Sequence, residues 1–224
     1  MSKAVLFHSD QPKSPAVPGI GLSIAAVLAA WFALVFWFGA GEVFVTPREI
    51  PPLALLIAVT APIIVFLAAF WIAHPFRDFV LAADLRLMTA VQAWRFAGFG
   101  FLALYTNGVL PGFFAWPAGL GDIAISITAP LMLVALIRKP GFAASKTFVA
   151  WNVLGILDLV VAVGMGALGA GFFVDGAGAV TTAPMAHLPL VLIPAFFVPA
   201  FIMLHLTALF QAQRTRAWMN RPLQ

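Results

Sequence analysis

Long apolar runs alternate with short polar segments along the whole chain, and this pattern predicts six helices that cross a membrane. Each run has about 20 residues, which at 1.5 Å per residue matches a hydrocarbon core of roughly 30 Å. Proline and glycine punctuate most of the connections between the runs. The predicted spans are 20–40, 53–73, 83–105, 117–137, 147–170 and 187–210. The sequence therefore predicts an all-α, polytopic membrane protein built as a six-helix bundle.

The two ends of the chain differ from these spans in composition. Residues 1–18 are polar and rich in proline, and we expect a flexible cytoplasmic tail there. Residues 213–224 form a basic tail, also expected to be cytoplasmic. The first apolar run is longer than the core of a usual signal peptide and lacks a clear small-residue cleavage motif, so we interpret it as a retained helix.

Basic residues predict the orientation of the six spans. Lys and Arg are enriched in the cytoplasmic loops of membrane proteins. Ten of the twelve basic residues fall on one side of the predicted bundle, while Arg48 falls on the other and Arg95 lies inside the third span. The ten are Lys3, Lys13, Arg77, Arg86, Arg138, Lys139, Lys146, Arg214, Arg216 and Arg221. Both termini are therefore predicted to be cytoplasmic.

Composition removes several classes of protein from consideration. Only 9% of the residues are charged, against about 25% in soluble domains, so a separate soluble domain is not expected. The net charge is +4, and most basic residues lie near the ends of the predicted helices. This distribution points to the lipid bilayer as partner and not to nucleic acid. Cysteine is absent, which excludes disulfides and thiolate chemistry. No phosphate-binding or hydrolase motif is present, so an enzyme is not favoured.

Three charged residues fall inside the predicted spans and are the main candidates for function. Arg95 and Asp158 lie near the middle of the third and fifth spans, and Asp122 lies near the outer end of the fourth. A charge at bilayer depth is costly unless it is paired or hydrated, and such residues mark functional sites by default. We expect an Arg95–Asp158 pair; it could bind a ligand or serve only as a buried ion pair that orders the bundle.

Other polar residues extend this candidate site in both directions. Gln92 and Asn152 are placed on its cytoplasmic side, where they could bind a ligand or only join helices by hydrogen bonds. Tyr105 and His187 are placed with Asp122 in an outward-facing mouth. Asp122 could instead cap the start of its helix, close to Pro117.

The sixth span carries two further features. Pro189, Pro194 and Pro199 recur every five residues and predict a break that could act as a hinge. His205 is predicted at a depth similar to that of His74, which follows the inner end of the second span. Two histidines on facing helices are the minimum for a haem b site, so these two are candidate haem ligands; no other metal site is indicated.

Four segments carry a resemblance to a known group of proteins. These segments are VQAWRFAGFGFLALY, LPGFFAWPAGLGDIAISITAP, AWNVLGILDLVVAV and LPLVLIPAFFVPAFIMLHL, within residues 85–212. Together they resemble uncharacterised small bacterial inner-membrane proteins with six predicted transmembrane helices. The resemblance implies a multi-pass location in the bacterial inner membrane and no particular activity. It also implies characteristic positions at Arg95, Asp122, Asn152, Asp158, the sixth-span prolines and His205.

These observations favour a small transport or ligand-binding membrane protein whose polar site lies between the third and sixth helices. Two other hypotheses belong to different classes. One is a redox membrane protein that holds haem at His74 and His205, and the other is an accessory or structural subunit of a larger membrane complex. The sequence is compatible with a homo-oligomer as well as with such a complex.

Overall fold

The computed structural model describes residues 20–47, 50–171 and 178–219, and every regular element within these ranges is helical. Six segments are long and apolar enough to cross a membrane. They are Gly21–Ala40, Leu53–Ile72, Leu85–Thr106, Gly112–Arg138, Lys146–Leu168 and Ile193–Met219. The predicted helical architecture with six apolar spans is confirmed. The predicted tail 1–18, Arg48 and the final residues 220–224 lie outside the described residues.

Eight α-helices are seen in the described parts of the chain. Their bounds are Ile20–Ala40 (α1), Leu53–Ile72 (α2), His74–Ala82 (α3), Leu85–Val91 (α4), Phe99–Thr106 (α5), Gly112–Arg138 (α6), Lys146–Leu168 (α7) and Val198–Met219 (α8). A 3₁₀ segment, Gln92–Gly98, joins α4 to α5 within the third span. A π-helical turn, Ile193–Phe197, leads into α8.

Local sequence explains where several of these helices begin. Asp84 caps α4, because its carboxylate oxygen accepts hydrogen bonds from the backbone N–H groups of Arg86 and Leu87 at 2.8 and 3.3 Å. Ser145 caps α7 in the same way through the N–H of Phe148. Pro75 occupies the first turn of α3, where its missing N–H would have had no helical partner.

Some boundaries differ from the prediction. The fourth span starts at Gly112 instead of residue 117, so Pro117 lies inside α6. The sixth helical segment starts at Ile193 and ends at Met219, not at 187–210. Pro189 therefore precedes the helix, in a turn where its bond to Leu188 is cis. A near-uniform apolar composition hides these ends, since hydrophobicity alone cannot separate a helix from the apolar turn before it.

The helix α6 lies at the centre of the bundle and packs against the 3₁₀ segment, α5 and α7. The approach to the 3₁₀ segment is very close: a Cβ atom built on Gly98 would lie 2.7 Å from the carbonyl oxygen of Gly119. Small residues at such crossings let two helix backbones touch. The third span is thereby pressed against α6 at the level where both carry their charged residues.

Candidate functional site

Arg95 lies at the centre of the site and is only 2% exposed. It belongs to the 3₁₀ segment of the third span. Its Nε–H donates to the Asp122 carboxylate on α6 at 2.7 Å, and its Nη2 donates to the Asp158 carboxylate on α7. The predicted pair of Arg95 and Asp158 is therefore present, and Asp122 joins it.

The two carboxylates meet Arg95 along one edge of its guanidinium. Nε and Nη2 form the edge that a single carboxylate normally binds with both of its oxygens. Here the edge is shared by oxygens from two residues, Asp122 and Asp158. One guanidinium thus faces two acids. With both acids ionised, this group of three carries one negative charge in excess.

The remaining nitrogen of Arg95 points toward α7 and α8. Nη1 lies 3.4 Å from the carbonyl oxygen of Gly155 and 3.3 Å from Nε2 of His205. His205 is fully buried, and its Nδ1 lies 2.9 Å from Oδ1 of Asn152. Asn152 in turn donates through Nδ2 to the carbonyl oxygen of Phe148 at 2.8 Å.

This chain of hydrogen bonds fixes the tautomer of His205. Because the Asn152 amide nitrogen is used by a carbonyl, its oxygen must face His205, and an amide oxygen can only accept. Nδ1 of His205 therefore carries the hydrogen. Nε2 then accepts from Arg95, which is always a donor. His205 is neutral in this arrangement and leaves the excess negative charge of the two acids uncompensated.

Aromatic rings enclose the group. The ring of Trp151 meets the His205 ring edge-on, with 5.5 Å between the centroids. Its indole N–H donates to Thr128 on α6 at 2.8 Å. Phe201 of α8 places its ring centroid 6.0 Å from the guanidinium carbon of Arg95, within reach of a cation–π interaction. Water is excluded on these sides, and the polar contacts are strengthened by the low dielectric.

Two glycines make room for the polar side chains. A Cβ atom on Gly121 would lie 1.6 Å from the Asp158 carboxylate, and one on Gly155 would lie 2.3 Å from Nε2 of His205. Any larger residue at these positions would displace the Asp158 carboxylate or the His205 ring. The helices α6 and α7 thus supply both the acids and the space in which the acids lie.

An apolar groove leads to Asp122. It lies between α2, the N-terminal half of α6 and the C-terminal half of α7, with the turn before α8 behind it, and has a volume of about 80 Å³. Asp122 is its one ionisable lining residue in the part of the chain that the structure describes. Pockets for drug-sized ligands hold about 300–1,000 Å³, so this groove is too small for a ligand of that size.

The structure separates the predicted site residues into two groups. Arg95, Asp122, Asp158 and Asn152 come together, as described. Gln92 is also buried, but its amide oxygen has no hydrogen-bond donor among the described residues. The other two candidates have partners of their own: Tyr105 packs on Trp116, and His187 lies 3.9 Å from Glu42.

Two other roles that the sequence allows do not fit the geometry: a helix cap at Asp122, and haem ligation by His74 and His205. Asp122 does not cap its helix, because α6 begins ten residues earlier, at Gly112. The two candidate haem ligands are not paired either. His74 is exposed at the start of α3, whereas both ring nitrogens of the buried His205 already have partners. No three metal-ligating side chains converge within the described ranges.

The predicted hinge residues differ in their surroundings. Pro194 lies in the π-helical turn and lines the apolar groove. Pro199 is buried in the first turn of α8, and Pro189 stands outside the helix. The predicted break is therefore located at Pro194, while movement about it stays a prediction.

Sequence reasoning missed the role of His205 within the site, together with Phe201, Trp151 and Gly121. One signal was available. Gly119 and Gly155 each precede an aspartate by three residues, at Asp122 and Asp158, and both glycines mark close approaches in the bundle. No comparable signal in the sequence indicates which face of each nearly uniformly apolar helix points into the bundle.

The chain belongs to a family described as a domain of unknown function, DUF8737, whose match covers residues 51–212. This range includes α2 to α7, most of α8 and every residue of the Arg95 site. No curated protein and no solved structure matches the chain.

Proposed function

We propose that this protein spans the bacterial inner membrane six times, with both termini cytoplasmic, and binds or transports a positively charged ligand at the Arg95 site. The biased distribution of Lys and Arg residues supports the orientation. The length and hydropathy of the six helical segments support the membrane location.

The observation that carries the proposal is that Arg95, buried at mid-span, faces two acids. Charges at this depth are retained where they pair or contact a ligand. With both acids ionised, the excess negative charge of Asp122 and Asp158 favours a cationic group or a proton over an anion. Asp122 and Asp158 each keep about 15% of their side-chain surface exposed, although Arg95 is closed off. The acids are therefore the part of the site that a ligand can reach.

The lining and the volume of the groove restrict the class of ligand that can bind. Its walls are apolar and its volume is small, so a slender alkyl chain fits it better than a ring system. A molecule with such a chain and a protonated amine would place the amine at Asp122. The break at Pro194 lines the same groove and would allow its wall to move during transport.

The proposal can be tested by thermal unfolding of the purified full chain in a mild detergent. The probes are decylamine, decanol and decanoic acid, which share one chain and differ in charge. A ligand that binds the folded state raises its stability. We expect decylamine alone to raise the melting temperature of the parent protein, and we expect the Asp122→Asn variant to lose this response.

Two results would overturn the proposal. One is an equal response to all three probes in the parent, which would reflect partitioning into detergent. The other is an unchanged response to decylamine in Asp122→Asn. The Asp78→Asn variant is the matched control, because it removes one acid outside the site.

A further inference from the structure

A second concave surface lies at the other end of the bundle, where α2 turns into α3 beside the end of α8. We call it the elbow pocket. It has a volume of about 530 Å³, within the usual range for ligand sites. It is lined by Phe70, Trp71, His74, Arg77, Asp78, Leu81, Phe210, Gln213, Arg214 and Ala217. None of these residues takes part in the Arg95 site.

The floor of the elbow pocket is aromatic and rigid. Phe70 and Phe210 stack with 4.1 Å between their centroids and 13° between their planes. Trp71 meets both rings edge-on. In membrane proteins, tryptophan is enriched at the depth of the lipid headgroups. The floor therefore offers apolar contact at the level where a headgroup joins its chains.

The wall of the pocket is fixed by Gln211 on α8. Its side-chain amide nitrogen donates to the carbonyl oxygens of Val80 and Ala83 at 3.0 and 2.9 Å. These carbonyls lie at the end of α3, where no further turn of helix is available to them. The short helix α3 is thereby held against α8, and the pocket between them is preformed.

The charges of the pocket favour an anion. Arg77 and Arg214 both line it, and within the described ranges neither forms an ion pair. Arg77 lies over the Phe70 ring, with its guanidinium carbon 5.7 Å from the centroid. Asp78 is the one acid in the lining, so two guanidiniums outweigh one carboxylate, and His74 can add a further donor.

We propose that the elbow pocket binds the headgroup of an anionic phospholipid. The planar guanidinium matches phosphate oxygens with two parallel hydrogen bonds. Arg77 and Arg214 would hold the phosphate, while the aromatic floor contacts the glycerol and the first methylenes. The pocket lies beside the ends of two predicted spans on the side that carries most of the basic residues, where anionic lipids attract basic side chains.

Native mass spectrometry of the full chain in detergent tests this proposal directly. The probes are phosphatidylglycerol and phosphatidylcholine with the same acyl chains, titrated separately. We expect preferential binding of phosphatidylglycerol. Loss of one arginine at a lipid headgroup weakens binding about fivefold. The Arg77→Gln and Arg214→Gln variants should each show a loss of this size, and Asp78→Asn should bind more tightly than the parent.

The matched control is Arg138→Gln, which removes the same charge from the same end of the bundle, outside the pocket. Equal losses in Arg138→Gln and Arg214→Gln would overturn the proposal, since they would indicate a general effect of charge. Equal binding of both lipids by the parent would also overturn it. Displacement of the lipid by inorganic phosphate alone would assign the pocket to free phosphate instead. Arg214 is exposed at the helix surface, so Arg214→Gln leaves the folded core intact.

Discussion

The centre of the bundle and its first helix are held in different ways. Around Arg95, side chains from the third span, α6, α7 and α8 meet through directed hydrogen bonds and close glycine contacts. The first helix, α1, packs on the turn before α8 through apolar and aromatic groups, such as Trp31 against Phe196 at 4.5 Å. Directed contacts specify one arrangement of helices, whereas apolar contacts tolerate small shifts. The family match begins at residue 51, after α1, and so follows the same division.

Among the substitutions that test this contrast, loss of Arg95 should lower the stability of the fold most. Arg95→Met leaves two buried acids without a counter-charge, which costs about 3–5 kcal/mol of stability. The triple variant Arg95→Met/Asp122→Asn/Asp158→Asn removes the stranded charges and should recover at least half of the loss. Thermal or denaturant unfolding in detergent measures both. A single variant as stable as the parent would show that the cluster contributes nothing to the fold.

A methyl group placed among the polar side chains should have the next largest effect. Gly155→Ala puts a Cβ atom 2.3 Å from Nε2 of His205, and overpacking of this kind costs about 1–3 kcal/mol. Gly164 lies on the same helix with nothing within 4 Å of its Cβ position. Gly164→Ala should be neutral or stabilise by up to about 1 kcal/mol. Equal unfolding temperatures for the two variants would contradict the crowding at Gly155.

A substitution among the aromatic residues around the site should cost less stability than one among its charged residues. Trp151→Phe keeps a ring beside His205 but loses the hydrogen bond from the indole to Thr128. The loss should be about 1 kcal/mol. Denaturant unfolding followed by circular dichroism avoids the change in tryptophan signal. A loss above that of Gly155→Ala would mean that Trp151, and not the packing at Gly155, sets the position of His205.

The same glycine-to-alanine change in α1 should have the smallest effect. A Cβ on Gly39 would lie 2.9 Å from a methyl group of Val191 and 3.1 Å from the Leu188 side chain. These are side-chain atoms of the apolar turn before α8 and not backbone or polar groups, so a small shift of that turn relieves the contact, and the gain in helix propensity offsets part of the crowding. We expect Gly39→Ala to stay within about 0.5 kcal/mol of the parent in thermal unfolding. A loss equal to that of Gly155→Ala would remove the contrast between the two regions.

Sequence alone predicted the parts of this structure that depend on length and charge. The six apolar segments follow from composition, and Arg95, Asp122, Asp158 and Asn152 were selected because polar groups at depth need partners. Rotation about each helix was not predictable, because a helix that is apolar all round has no preferred face. Trp94 illustrates this: it lies in the middle of the third span, beside the buried Arg95, and is 71% exposed. The 3₁₀ segment also changes the register of the residues after Val91.

Contacts between helices that are far apart in the sequence were the second limit on prediction. Depth alone pairs His205 with His74 as candidate haem ligands, whereas the neighbours of His205 in the structure are Arg95 of the third span and Asn152 of α7. The sequence groups Tyr105 and His187 with Asp122 by depth alone, whereas their contacts in the structure are with Trp116 and Glu42. Depth can be counted along a chain, but lateral position in a bundle depends on crossings such as Gly98 against Gly119.

The hydrogen bonds that run from Arg95 through His205 and Asn152 to Phe148 all have the same direction of donation. This order constrains which replacements relatives of this protein can carry at the site. His205 accepts on one side and donates on the other, so a replacement must do both at the same spacing, as glutamine can. An aspartate in place of Asn152 would place a negative charge at Nδ1 and favour a second hydrogen on the ring. Nε2 would then oppose Arg95 with like charge. Replacements at positions 95, 152 and 205 that break this donor–acceptor order should therefore occur together, and an alignment of the family would show these positions as a coupled set.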